Sequence, residues 1–360
     1  MKNQRKLQLK ALLKAKEIDF LVLIVGANLY YLTGLRAKLH ERPTMLFIST
    51  QSKDMVLLPA LDIPNASSFL TEEYIYYSYT DNEGPEKALK TLIEESDLDG
   101  KKIGIEFLNM RVMEYELLKK NAPHLSFVNG APIIMELRMI KDEKELSYLR
   151  KAADITEKAL EATLKVIHPG ITEQEVLREL EIQMLSFGSG ELWKNQIVVS
   201  GPRTAFPHAK ASNRVIESGD LLMIDTGATY EGYPCDLTRT FSLNNIDEKF
   251  KEVYDIVKQA NEAVINLPNK TFTAEELDRV VRNVIKDHGY GEFFIHRTGH
   301  GIGLEGTEPP DILEGNRMEM KPGMTFTIEP AIYLPNKGGV RIEDEVVVTD
   351  NGLEYLTNYS

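Results

Sequence analysis

Two pairs of acids, each bracketing a turn, are the residues of this chain best placed to do chemistry. Asp225 and Asp236 lie symmetrically about Tyr230 and Glu231, just ahead of Gly232, and Glu329 and Glu343 lie symmetrically about Asn336 within Pro335-Asn336-Lys337-Gly338-Gly339. A tight turn at each place sets the two acids of a hairpin opposite one another or one register step apart. Opposite strand positions have Cβ atoms about 5 Å apart, too close for paired carboxylates on apolar strands to stay ionised without a cation. Two divalent ions would about balance four carboxylates. His300, in Thr298-Gly299-His300-Gly301-Ile302-Gly303, is the candidate nitrogen ligand. Any one of these acids alone reads more readily as a turn or cap residue. Two symmetric acid hairpins with one histidine point to a metal site.

The elements that must position them form a repeat. Helices are expected over 142–166, 172–187, 247–266 and 273–288, and Thr172 with Glu175 and Thr273 with Glu276 have the spacing of capping boxes. Each helix pair precedes a β-rich stretch. In ESGDLLMIDTGA and MKPGMTFTIEPA the carboxylates Asp225 and Glu329 stand six residues after Gly219 and Gly323, ending an apolar strand in both. This pattern implies an internal duplication with a pseudo-two-fold relation and a shared site between the halves. Upstream, a leucine-bearing helix feeds a strand over 20–25, with further strands over 44–48, 55–58 and 102–106 and helices over 85–95 and 110–121. The overall class is α+β. The expected division is a smaller α/β domain over 1–128, a linker over 129–137 containing Asn129-Gly130-Ala131-Pro132, and a catalytic domain over 138–360.

Composition narrows the function. With 360 residues, two domains are expected. The net charge of −13 argues against a nucleic-acid or anionic-membrane partner. A single cysteine, Cys235, rules out an internal disulfide and suits a reducing cytoplasm. The apolar run 20–25 is shorter than a signal-peptide core, and no run approaches the roughly 20 apolar residues that span a bilayer. A cytoplasmic protein is the expectation.

The motifs are specific enough to name a family. Ser200-Gly201-Pro202 with Pro207-His208-Ala209, Ile224-Asp225-Thr226-Gly227-Ala228, Asp236-Leu237-Thr238-Arg239-Thr240-Phe241, His296-Arg297-Thr298-Gly299-His300-Gly301-Ile302-Gly303-Leu304-Glu305, Thr327-Ile328-Glu329-Pro330 and Gly339-Val340-Arg341-Ile342-Glu343-Asp344 carry the match. The chain resembles the Xaa-Pro dipeptidase (prolidase) and aminopeptidase P family of pita-bread-fold metallopeptidases, strongly over 138–360 and more loosely before. That resemblance implies a C-terminal pita-bread domain behind a creatinase-like N-terminal domain. It also implies one divalent ion on Asp225 and Asp236, another on His300 and Glu329, and Asp236 and Glu343 reaching both. Hard oxygen donors with one imidazole suit Mn, Co or Zn. All five ligands are present, which argues against the metal-free creatinases.

The implied reaction is hydrolysis of an Xaa-Pro bond by a hydroxide bridging the two ions, with Glu329 carrying the proton to the leaving nitrogen and the substrate amino group near Asp225. His208 matches a histidine that steadies the substrate or oxyanion. Arg341 would pair with the carboxylate ligands, and Tyr333 would add a hydrogen bond near them. Thr307 stands where the family usually has a second active-site histidine. Three readings follow: a dipeptidase, an aminopeptidase P on longer peptides, and a weakly active metal-binding relative. The resemblance further implies a homodimer, with His40 as a contributor from across its interface.

Overall fold

The computed structural model describes residues 2–71, 73–192, 196–267 and 271–358, in two compact units, Met1–Arg138 and Met139–Ser360. In the first, six strands are ordered β4-β3-β2-β1-β5-β6: β1 Phe20–Ile24, β2 Met45–Ser49, β3 Asp54–Pro59, β4 Tyr74–Tyr79, β5 Lys102–Ile105 and β6 Ser126–Asn129. β1 pairs antiparallel with β2 and parallel with β5, so the sheet is mixed. All five residues of β1 are buried, as expected of a central strand covered on both faces. Helices Lys2–Ala15, Pro85–Ser96 and Val112–Asn121 lie close to the expected places.

The stretch expected as a linker is structured. Asn129 ends β6, and a helix runs Ala131–Arg138 within the first unit. Pro132 reads as a breaker, but in the first turn of a helix its missing N–H costs no hydrogen bond. Gly130 is packed, since a Cβ there would lie 2.4 Å from Leu21 Cδ1. Its role is close approach.

The second unit repeats one plan twice. Helices Glu143–Leu164 and Glu173–Ser186 precede the first set of strands, and Glu248–Ile265 and Ala274–Asp287 the second. Both expected capping boxes form, at Thr172 with Glu175 and at Thr273 with Glu276. Thr172 makes an isolated bridge to Val215, and Thr273 one to Glu319. Gly219 and Gly323, at φ of 92° and 87°, then turn the chain into the strand that carries each half's first acid. Only glycine enters that left-handed region without strain.

The strands of the first half are β7 Ile197–Ser200, β8 Leu221–Thr226, β9 Thr229–Tyr230, β10 Tyr233–Pro234 and β11 Leu237–Ser242, with β8 central between β7 and β11. The second half supplies β12 Gly299–Gly301, β13 Glu308–Ile312, β14 Thr325–Ile328, β15 Ala331–Leu334, β16 Gly338–Arg341, β17 Asp344–Thr349 and β18 Gly352–Tyr355. Five of these form a sheet ordered β13-β12-β14-β17-β18, and β15 pairs with β16. A bridge between Thr238 and Glu343 joins the halves beside the acids. The chain thus matches the expected pita-bread domain behind an α/β N-terminal domain. Among the described residues, no helix is long and apolar enough to cross a membrane.

Candidate metal centre and active site

Each acid pair sits where its hairpin is interrupted. In the second half, the pairing of β14 with β17 and of β15 with β16 shares one register, Ile328 opposite Asp344 and Ala331 opposite Arg341. Continuing that register sets Glu329 opposite Glu343, between the two ladders. Asn336, at φ 61°, centres the turn.

The first hairpin is displaced by one residue from the expected centre. Glu231 and Gly232 both have positive φ, 51° and 88°, the signature of a type I′ turn, which recruits glycine at its second central position. Asp225 is therefore opposite Thr238, and Asp236 lies two residues away, a diagonal neighbour on the same face.

Ligand-capable atoms of Asp236, His300 and Glu343 all lie within 4.8 Å of one another. His300 Nε2 is 3.7 Å from Asp236 Oδ2 and 3.6 Å from Glu329 Oε1. Those distances are too long for hydrogen bonds but near the span of two donors on one ion, each at about 2.1 Å from it. His300 Nδ1 donates to the Gly301 carbonyl at 3.1 Å, which leaves Nε2 with its lone pair toward the acids. Arg341 Nη2 donates to Asp225 Oδ2 at 2.5 Å and so brings the fourth acid to the same place.

The electrostatics fit a cation. Burial, then Glu343, Asp225 and Glu329, hold the Asp236 carboxyl well above the usual range. Glu343 is raised likewise by burial and by Glu329 and Asp225, and burial pushes Glu329 up to about 7. Burial lowers His300, so its ring is neutral. A set of mutually repelling buried carboxyls with a neutral imidazole is the donor set of a hard or borderline divalent ion. Metal must displace protons from these carboxyls. Apparent affinity should therefore climb between pH 5.5 and 8, with proton release seen by calorimetry in buffers of different ionisation enthalpy. A pH-independent affinity would contradict this.

The backbone around the ligands leaves little freedom. A Cβ at Gly299 would lie 1.9 Å from the Thr327 carbonyl oxygen, and one at Gly301 2.2 Å from that of Pro309. Glycines beside His300 thus let β12 thread between its neighbours. Asp278 accepts from Thr298 N and Oγ1 at 3.2 and 2.7 Å. Two groups outside the expected site hold ligands in place. Thr238 Oγ1 donates to Glu343 Oε2 at 2.6 Å, and Glu345 Oε1 accepts from Asp236 N at 2.6 Å. Both stand two residues beyond a ligand, where the strand period returns to the same face. That spacing was the available signal.

A cavity of about 470 Å³ opens onto the acids, and Asp225, Asp236, His300, Glu329, Glu343, His208, Arg341 and Thr307 line it. Tyr333 lies just behind. Its hydroxyl accepts from Arg341 Nη1 at 2.7 Å and meets His296 Nε2 at 3.1 Å. Burial pushes Tyr333 up to about 12, so it stays a donor. His296 and Arg297, which had been assigned no role, also line the cavity. Burial lowers His296 to about 4. Thr307 is exposed at the cavity wall. His40 is engaged within its own unit, where its Nδ1 accepts from Arg42 N at 3.0 Å. Cys235 is buried and free.

Comparisons with known proteins identify the family. Residues 147–350 match the model of metallopeptidase family M24, and residues 5–140 match the creatinase/prolidase N-terminal domain. An uncharacterized peptidase of Staphylococcus aureus is 34% identical over 349 residues, covering 96% of this chain and 97% of its own. The crystal structure of a prolidase from Thermococcus sibiricus superposes with a TM-score of 0.95 at 36% identity, over 100% of this chain and 98% of that one. A Bacillus anthracis protein described as Xaa-Pro dipeptidase gives a TM-score of 0.91 at 32% identity, over 99% and 98%. The chain belongs to metallopeptidase family M24, carries a creatinase/prolidase N-terminal domain, and is a peptidase.

Proposed function

We propose that this peptidase is an Xaa-Pro dipeptidase holding two divalent ions. The observation that carries the reading is the convergence of four carboxylates and a neutral imidazole on one cavity, with at least three of the carboxyls held above their usual range. Asp225 and Asp236 would hold one ion and His300 and Glu329 the other, with Asp236 and Glu343 reaching both. The donors suit Mn, Co or Zn. When bound, such ions supply an acidified water and polarise a carbonyl.

The side chains do the rest. Glu329, beside His300, accepts the proton of the attacking water and gives it to the leaving nitrogen. Asp225 receives the substrate's ammonium group on the oxygen not bonded to Arg341. Arg341 also donates to the Pro207 carbonyl at 3.2 Å, tying the ligands to the loop that carries His208. His208 then donates to the oxygen that gains charge during attack. Replacing His208 by Ala should lower kcat/KM by roughly 10²-fold while leaving metal content unchanged. Loss of metal in that variant would make His208 a ligand instead.

A dipeptide substrate follows from the likeness to proteins described as prolidase and Xaa-Pro dipeptidase. A cytoplasmic homodimer completes the reading. Thr307 favours a second one, since its exposed hydroxyl occupies the cavity wall where an imidazole is usual for the family. The protein would then bind metal but turn over Xaa-Pro peptides poorly.

The deciding experiment strips the protein with chelator, reloads it with Mn, Co or Zn in turn, and follows metal content and cleavage of an Xaa-Pro dipeptide and a tripeptide with proline second. The expected result is two ions per chain and faster cleavage of the dipeptide. Full metal content without cleavage of either peptide would favour the second reading. No retained metal would overturn both.

A further inference from the structure

A strand that breaks its ladder to present an acid leaves backbone groups that a neighbouring strand would otherwise pair, and a buried N–H or C=O must then find another partner. Both acid hairpins are broken in this way. β8 ends at Thr226 and β9 starts at Thr229, and β14 ends at Ile328 and β15 starts at Ala331. In each half, a side chain of the first helix supplies a partner at the break.

Asn261 lies on the helix Glu248–Ile265, whose other buried residues are Val253, Ile256, Val257, Ala260 and Val264. It is 3% exposed. Its Nδ2 donates to the Ile328 carbonyl at 3.0 Å, and its Oδ1 accepts from the Tyr355 hydroxyl at 3.3 Å. The next N–H, that of Glu329, donates to the Thr298 carbonyl at 2.8 Å. The peptide that leads into Glu329 is thus held at both its oxygen and its nitrogen.

Thr156 is the counterpart in the first half. It is fully buried on the helix Glu143–Leu164, and its Oγ1 accepts from Ala228 N at 2.8 Å. The Ala228 carbonyl accepts from Cys235 N at 2.8 Å, next to Asp236. Thr156 and Asn261 hold the same place in the repeat, each fourteen residues after the aspartate that caps its helix, Asp142 and Asp247. One is a hydroxyl that accepts and the other an amide that donates. What recurs is the task, a polar side chain sent from an apolar helix face to the break beside the acids.

We infer that Asn261 is a positioning residue for Glu329, and that Thr156 serves the acids of the first hairpin in the same way. The inference rests on the ion assignment proposed above. By fixing the peptide ahead of Glu329, Asn261 sets where the carboxylate stands toward the ion it shares with His300 and toward the attacking water. Such groups work only within roughly 0.5 Å of the productive geometry.

The test uses chelator-stripped protein reloaded with metal, as wild type, Asn261→Leu, Tyr355→Phe and Thr156→Val, each also combined with Glu329→Gln. Asn261→Leu should weaken one of the two ions by roughly 10- to 100-fold in calorimetric titration. At saturating metal its kcat on an Xaa-Pro dipeptide should fall by roughly 10-fold or more, with KM changed by no more than about threefold. Beside Glu329→Gln it should lower kcat by no more than about threefold further, because the proton carrier it positions is already gone. Tyr355→Phe removes only the hydroxyl that orients the amide and should act in the same direction by about threefold, which keeps the test open if Asn261→Leu does not fold. Thr156→Val should weaken the other ion, and its effect on kcat should persist beside Glu329→Gln. A merely structural role predicts a lower Tm with both ion affinities and kcat at saturating metal unchanged, and that outcome would overturn the inference. An Asn261→Leu loss in kcat that is equally large with and without Glu329→Gln would also overturn it, while leaving the peptidase reading intact. A wild type that retains no metal would end the ion assignment and this inference together.

Discussion

Replacing Glu329 by Gln should lower kcat on an Xaa-Pro dipeptide by roughly 10²-fold or more while the protein keeps most of its metal. The side chain is 16% exposed, its Oε1 is 3.6 Å from His300 Nε2, and its backbone N–H is fixed to the Thr298 carbonyl at 2.8 Å. Glutamine preserves this shape and retains an oxygen for an ion. It cannot take up a proton. Burial raises the Glu329 carboxyl to about 7 in the metal-free protein, against the opposing pull of Arg341. A carboxylate beside the attacking water can accept its proton and release it to the leaving amine in one cycle. The expected signature is a large fall in kcat with KM nearly constant. Turnover within about threefold of wild type would assign the proton to another group.

Much of this site was legible because hairpins write their geometry into spacing. Acids placed symmetrically about a turn must face one another, and the second hairpin, centred on Asn336, follows that rule. The first follows it with a shift. Symmetry about Tyr230 and Glu231 ignored the need for positive φ at both central residues, which moves the turn onto Glu231 and Gly232. The capping boxes and the paired glycines 219 and 323 exposed the internal repeat for the same reason: each is a local requirement of the backbone.

Less could be read where neither period nor turn chemistry spoke. The helix Ala27–Thr33 buries Asn28, Leu29, Tyr31, Leu32 and Thr33, so it shows no polar face and no helical periodicity. The strand Ser126–Asn129 is a short edge strand with no fully buried residue, and it leaves little apolar signal. His296 and Arg297 stood within a recognised motif, yet their contacts depend on what the fold places against them. Asp311 and Tyr333, 14 and 37 residues away along the chain, supply that context.

Replacing Glu343 by Ala should remove both ions rather than one, and should weaken the effect of pH on the metal-free protein. Loss of a ligand shared by two ions weakens both, so elemental analysis after reloading should fall from two ions toward none. The pH effect follows from the same crowding. Asp236, Glu329 and Glu343 have carboxyls whose folded values lie above their unfolded ones, chiefly through burial and then through one another. A group shifted in that direction lends stability while it is protonated. That contribution is present below the unfolded value of about 4, and it fades as pH rises toward about 7 and beyond. Metal-free wild type should therefore lose thermal stability between pH 5 and 8. The Ala variant carries one such group fewer and relieves the repulsion on the others, so its Tm should fall less over the same range. It also forfeits the 2.6 Å bond from Thr238 and leaves a small void, which lowers its stability at every pH. The decisive quantity is the difference in Tm between variant and wild type, measured without metal at pH 5 and pH 8: it should shift in the variant's favour as pH rises. With saturating metal the difference moves in the wild type's favour, because only wild type gains binding energy. Retention of two ions by the variant, or a Tm difference independent of pH, would remove Glu343 from the shared position between the two ions.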